Sequence, residues 1–341
     1  MTTRDASSPG GPSGSFLEEA GRFWRTLPDK PLFLGLLAAW LALFHFFGNS
    51  TFGLVNTASL FGWWKWTIDR RPGEDHAYFM PLVTLGLLLW KSRELAALPK
   101  RTCWPALGLV ALALLLHVVG YMIQQTRVSV IAFALGLYGL TGLVWGGRWL
   151  WATLFPFSLL LFCVPLSDDI DSKTLPLRLL ATKITTVLSN KVLGISVFAE
   201  GTTLKAADGS FQSFGFDVGA PCSGIRSLTA MVAFGIVYGY VTFQSLGRRV
   251  LVVVAGVPLA IVANVTRLTL IILAAELFGQ EGGNYVHNNK IFEMVPYLPA
   301  IVGMLLLGYW FDEDRPRRRR QAPPAGETAD PLPAANPPPD P

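Results

Sequence analysis

Runs of close to 20 residues with few or no charges recur along this chain, and they decide what it can fold into. An α-helix needs about 20 apolar residues to cross the hydrocarbon core of a bilayer. Inside lipid every backbone N–H and C=O must find a partner within the protein, so such runs form helices. In order, the runs predict eight spans, at 31–48, 76–90, 104–123, 128–146, 149–166, 222–243, 250–278 and 291–311. The expected fold class is an all-α polytopic membrane protein with about eight transmembrane helices. Composition agrees: 15% of the residues are charged, against about 25% in a soluble domain. That balance excludes a disordered chain, a disulfide-stapled secreted module and an ordinary cytosolic enzyme.

The flanks differ from this body. Residues 1–30 are polar and rich in Gly, Pro and Ser, and read as a disordered cytoplasmic leader. Residues 312–341 carry the basic cluster Arg317–Arg320 and then a Pro-rich tail, read as disordered and cytoplasmic. Between them, 31–311 forms the transmembrane domain. An even number of spans puts both termini on one side. That side carries 16 Lys and Arg residues against 10 on the other, so the positive-inside rule makes both termini cytoplasmic. The outer loop 167–219, the start of the sixth span and the polar loop 279–290 then face outward. Trp63, Trp64 and Trp66 read as an interfacial aromatic cluster. The net charge of +5 follows this topology, and no nucleic-acid partner is expected.

The outer loop carries structure of its own. Asp168, Asp169 and Asp171 open it. Leu177, Leu180, Ile184, Val187, Leu188 and Val192 recur at helical spacing, which predicts an amphipathic helix on the membrane surface. Short β-like runs follow at 195–198, 202–205 and 211–218, with Asp208-Gly209 as a hairpin signal.

Three cysteines at scattered spacing make no disulfide framework, and four histidines show no zinc spacing, so neither metal nor cofactor is expected. Chemistry is expected where ionisable or nucleophilic groups enter the apolar body. Arg226 lies early in the sixth span. Arg267 lies within the seventh, with Asn264 one helical turn before it. Pairing with buried carbonyls is the structural alternative for both arginines, and snorkelling is a further one for Arg226. Cys222 stands where a β-like segment enters a span, near a helix N-terminus that favours a thiolate. Cys103 and Cys163 read as packing residues. His287 lies in the outer loop between the last two spans. By the topology, Cys222, Arg267 and His287 meet on the outer side, an apt set for acyl transfer: thiolate nucleophile, proton carrier and fixed cation. A transporter or lipid flippase is the alternative, with Arg226 and Arg267 binding an anionic headgroup. His76, beside Glu74 and Asp75, is a candidate for the outer mouth of the site. Gly235 with Gly239, and Gly142 with Gly146, have the spacing of helix-packing pairs.

Ala220-Pro221-Cys222-Ser223-Gly224-Ile225-Arg226, then Asn264-Val265-Thr266-Arg267, then His287, resembles the exosortase/archaeosortase family. His76-Ala77-Tyr78-Phe79-Met80-Pro81 resembles a further family segment, and the likeness covers about 31–311. The resemblance implies a membrane cysteine transpeptidase of a bacterial cytoplasmic (inner) membrane, with its active site outward. Cys222 would be the nucleophile, Arg267 the transition-state stabiliser and His287 the proton-transfer residue. Arg226, Asn264, His76 and Ser223 would support them. The implied partners are membrane-anchored proteins with a C-terminal sorting tail (a motif, a transmembrane helix and a basic cluster). The implied acceptor is a lipid or glycan amine, or water.

Overall fold

In the computed structural model the described residues are 16–71, 74–166, 175–217 and 225–311. Cys222 and Ser223, the aspartates at 168–171 and the tail from 312 lie outside them, as does the side chain of Arg226.

Among the described residues eight α-helices precede residue 167. Helix α1 (Phe16–Thr26) occupies the second half of the segment expected to be disordered. Its Phe23 ring stacks on Trp149, giving the helix an apolar partner that the local sequence does not reveal. It meets α2 (Lys30–Phe46) at 104°, across Asp29 in the left-handed region (φ 51). The tryptophan cluster lies on a further helix, α3 (Leu60–Arg70), where Ser59 accepts from the Gly62 N–H at 3.3 Å and Trp63 is buried. Next come α4 (Met80–Trp90), α5 (Ser92–Ala97), α6 (Ala106–Met122), α7 (Thr126–Trp145) and α8 (Gly147–Ser158). Trp40, Phe44, Val130, Leu140 and Phe157 are among the residues of their core.

The segment expected to form the outer loop holds α9 (Leu175–Leu188) and a three-stranded antiparallel sheet, β1 (Val197–Glu200), β2 (Thr203–Ala206) and β3 (Gly215–Asp217), in that order. The tight turn falls at Gly201-Thr202 between β1 and β2, with Gly201 at φ 62. Asp208-Gly209 instead lies in the longer connection from β2 to β3. The amphipathic helix forms, with its small and polar face packed inward and its leucine-rich face exposed. Arg178, Ala181, Thr182 and Thr185 are buried while Leu180, Ile184 and Val187 are 40–48% exposed. Leu177 and Ala181 line a small cavity with Leu228, Val257, Ala260, Ile261 and Asn264, which places α9 against the middle of the next long helix.

That helix is α11 (Leu246–Asn288), preceded by α10 (Ile225–Thr242). The two run antiparallel over bare glycine backbone. A Cβ on Gly235 would lie 3.3 Å from the Val252 carbonyl oxygen, one on Gly256 3.2 Å from that of Met231, and one on Gly239 3.4 Å from Arg249 Cα. The helix-packing reading of Gly235 and Gly239 therefore holds. Short α12 (Lys290–Met294) and α13 (Tyr297–Trp310) are the last helices among the described residues. The second core gathers Met231, Phe243, Val252, Ala300 and Met304. A third joins Ile195, Val197, Leu204 and Phe214 of the sheet region to Leu268, Ile272 and Ala275 of α11.

The chain is mostly helical with many apolar helices, as a membrane protein is. Among the described residues two helices, Thr126–Trp145 and Leu246–Asn288, are long and apolar enough to cross a bilayer, or three spans if the bent α1–α2 pair counts as one. The other apolar helices have 10–17 residues. Proline explains some of the shortening. The last expected span divides at Val295-Pro296 into α12 and α13, because Pro lacks the N–H that would continue the helix. The second begins as a 3-10 turn, Asp75–Tyr78, with Pro81 in the first turn of α4.

Candidate active site

Residues 279–290 read as a polar loop, yet the chain stays helical to Asn288. The break is at Gly279, whose φ of 73 and ψ of −173 belong to a region that essentially only glycine occupies. Beyond it the segment 280–288 turns back along α11. A Cβ on Gly282 would lie 2.9 Å from the Ala274 carbonyl oxygen, and one on Gly283 3.0 Å from Ala275 Cβ. In a straight helix Arg267 and His287 would stand about 30 Å apart. Across the fold-back, Arg267 Nη2 donates to the His287 carbonyl oxygen at 3.5 Å, a long hydrogen bond. The structure thus brings the Arg267 side chain to the backbone of His287, and the loop expected around His287 is corrected to a helix.

His287 lies in the last turn of this segment, at the negative end of the helix dipole. Its Nδ1 is 3.0 Å from Asn288 Oδ1. With Nδ1 donating, the neutral imidazole keeps its lone pair on Nε2, the form a proton acceptor needs. Asn264 is buried, one turn before Arg267 and at the α9 cavity. The outer face of 280–288 carries an open groove lined by Glu281, Asn284, Tyr285, Asn288 and Asn289.

His76 sits elsewhere. It belongs to the 3-10 turn ahead of α4, and its ring meets Phe162 edge-on at 6.3 Å, within the first group of helices. Cys163 is buried, and its thiol donates to the Ala77 carbonyl at 3.7 Å, in keeping with a packing role. Arg226 opens the first turn of α10.

Three residues of the site region escaped the sequence reading. Glu276 is buried and accepts from the Phe211 N–H at 2.8 Å, while its other oxygen is buried without a hydrogen-bond partner among the described residues. An acid inside an apolar span was the available signal. Gln280 bonds the backbone of Gly215, and Phe216 packs where Gly283 has no side chain. No local pattern announces a contact between residues 65 positions apart.

No curated protein and no solved structure matches the chain. The transmembrane exosortase family matches residues 63–307, a stretch from α3 to α13 that includes Cys222, Arg267 and His287, and the chain belongs to that family.

Proposed function

We propose that this exosortase is a cysteine transpeptidase that cuts and transfers membrane-anchored proteins bearing a C-terminal sorting tail. It works at the outer face of a bacterial cytoplasmic membrane through a Cys222 thioacyl intermediate. Eight crossings, with both termini cytoplasmic, put the start of α10 and the segment 280–288 on that face. The observation that carries the reading is the fold-back at Gly279, which returns His287 to Arg267.

The antiparallel register of α10 and α11 supports a place for Cys222 beside them. Met231 lies opposite Gly256, and Leu228 shares a cavity with Ala260 and Asn264. Each step toward the start of α10 therefore advances along α11 toward Arg267. Cys222 is three residues before Ile225, a reach of at most about 11 Å.

The chemistry follows from the residue types. Cys222 gives its proton to His287 Nε2, and the thiolate sulfur bonds the carbonyl carbon of the scissile peptide. The guanidinium of Arg267, charged at any working pH, stabilises the oxyanion. The intermediate collapses by breaking the C–N bond, and the departing amine takes the proton from His287. An acceptor amine, or water, then attacks the thioester and releases Cys222. Arg226, Asn264 and Ser223 are the supporting residues, and the groove beside Tyr285 and Asn288 receives the extended substrate segment.

The test compares intact cells carrying the natural protein or Cys222→Ala, following the masses of proteins that end in a motif, one span and a basic cluster. Full-length precursors accumulate only in the variant, and the new C-terminus of the trimmed product separates transfer from hydrolysis. Identical profiles with a folded, abundant variant overturn the reading and turn attention to anion transport through Arg226 and Arg267.

A further inference from the structure

The backbone N–H and C=O of Gly215 in edge strand β3 are both bonded by one side chain from α11. Its N–H donates to Gln280 Oε1 at 2.9 Å, and Gln280 Nε2 donates to its carbonyl at 3.3 Å. Gln280 Nε2 is also held by Asn284 Oδ1 at 3.2 Å, so the carboxamide is fixed on its own helix. One residue along β3, the Phe216 ring occupies the space that a side chain on Gly283 would fill. Strand and helix are thus joined twice within one turn.

Each partner leads straight to a proposed reacting group. β3 ends at Asp217, and Cys222 follows five residues later. The segment 280–288 carries His287 one turn beyond Gly283. Because Gly279 breaks the helix, the backbone of 280–288 is not held in line by the rest of α11. Its orientation must come from side contacts, and the Gln280 clasp is one that ties it to the strand before Cys222. We infer that Gln280 is a positioning residue that sets the distance between the Cys222 thiol and the His287 imidazole, an inference that rests on the roles proposed above.

The sheet supplies its own control. At the opposite edge, Asn190 closes Val197 in the same two-bonded way, accepting from its N–H at 2.7 Å and donating to its carbonyl at 2.8 Å. Both carboxamides protect an edge strand. Only Gln280 does so from the element that carries His287.

The experiment measures the alkylation rate of Cys222 by iodoacetamide across pH in the purified full-length protein. Peptide mass spectrometry separates Cys222 from Cys103 and Cys163. Losing an adjacent His287 raises the thiol's midpoint, so Gln280→Leu is expected to move the profile upward by about one pH unit, as His287→Ala does. Gln280→Glu keeps the acceptor for the Gly215 N–H and falls between. Asn190→Leu lowers the unfolding temperature without moving the profile. If His287→Ala moves it and Gln280→Leu does not, or if Asn190→Leu moves it equally, the positioning role is wrong while the Cys222–His287 pairing stands. If His287→Ala itself leaves the profile unmoved, the pairing fails and the inference with it.

Discussion

The Arg267 guanidinium meets the carbonyl oxygen of His287, 20 residues further along the chain, at 3.5 Å. Only a reversal of direction permits that contact. Gly279 provides it, and the paired glycines at 282 and 283 let the returning segment lie against Ala274 and Ala275. In the proposed mechanism Arg267 and the His287 imidazole must both reach one substrate carbonyl, and the fold-back brings the Arg267 guanidinium to the His287 backbone.

Gly279→Ala tests the reversal. An alanine in this backbone region costs about 1–3 kcal/mol, and the simplest relief is to straighten the helix. The expected outcome is a loss of precursor processing with the protein still folded and abundant in the membrane. Normal processing by this variant would show that the reversal is not needed.

Arg267→Lys keeps the charge and discards the planar fork. Removing one oxyanion donor costs about 100- to 1,000-fold in rate, and a point charge on a flexible stem recovers only part of that. Processing should fall steeply in Arg267→Gln and less in Arg267→Lys. Equal activity of all three proteins would remove Arg267 from the chemistry.

Gly256→Val tests the α10–α11 contact. The added side chain meets the Met231 carbonyl, where a Cβ alone already approaches to 3.2 Å. Overpacking of this kind costs about 1–3 kcal/mol, so the unfolding temperature in detergent should drop by several degrees. Gly247→Ala, at a position where a Cβ meets nothing within 4 Å, should leave it unchanged.

Lys91→Met tests a joint between the first helices and the last. Lys91 Nζ donates to the Ala152 carbonyl at 2.8 Å and to the Tyr240 hydroxyl at 3.2 Å, with 10% of its side chain exposed. The Tyr240 ring stacks on Phe155 at 3.7 Å and lies under Arg249. Methionine fills the volume but leaves the Ala152 carbonyl without this donor, a loss of about 1–3 kcal/mol. Calorimetry should show lower stability, and an unchanged transition would mean that the joint carries no load.

The sequence was most informative where spacing and residue type coincide. The order of Cys222, Arg226, Asn264, Arg267 and His287 pointed to the family and to one site, and Gly235 and Gly239 pointed to close helix packing. The amphipathic pattern of α9 was legible, but not its neighbour. Its small and polar face packs inward because Thr182, Thr185 and Ala181 permit close approach, while Leu180 and Ile184 stay outside. The region 279–290 misled for a physical reason. Gly279, Gly282 and Gly283 read as loop punctuation, whereas one reverses the chain and the others accept Phe278 and Phe216. Gln280 was invisible because its partner, Gly215, lies 65 residues away, and for Glu276 the acid inside an apolar span was a signal but its partner Phe211, equally distant, was not legible.

Cross-linking Cys222 to a cysteine at position 287 tests the shared site most directly. The protein would carry His287→Cys with Cys103→Ser and Cys163→Ala, and Phe198→Cys with Lys205→Cys, direct cross-strand partners in the sheet, would serve as the positive control pair. A disulfide requires Cα atoms within about 7 Å, and a short methanethiosulfonate linker extends that reach slightly. The account predicts rapid 222–287 linkage in membranes, reduced when Gly279→Ala is added. Efficient linkage of the control pair with none between 222 and 287 would contradict it.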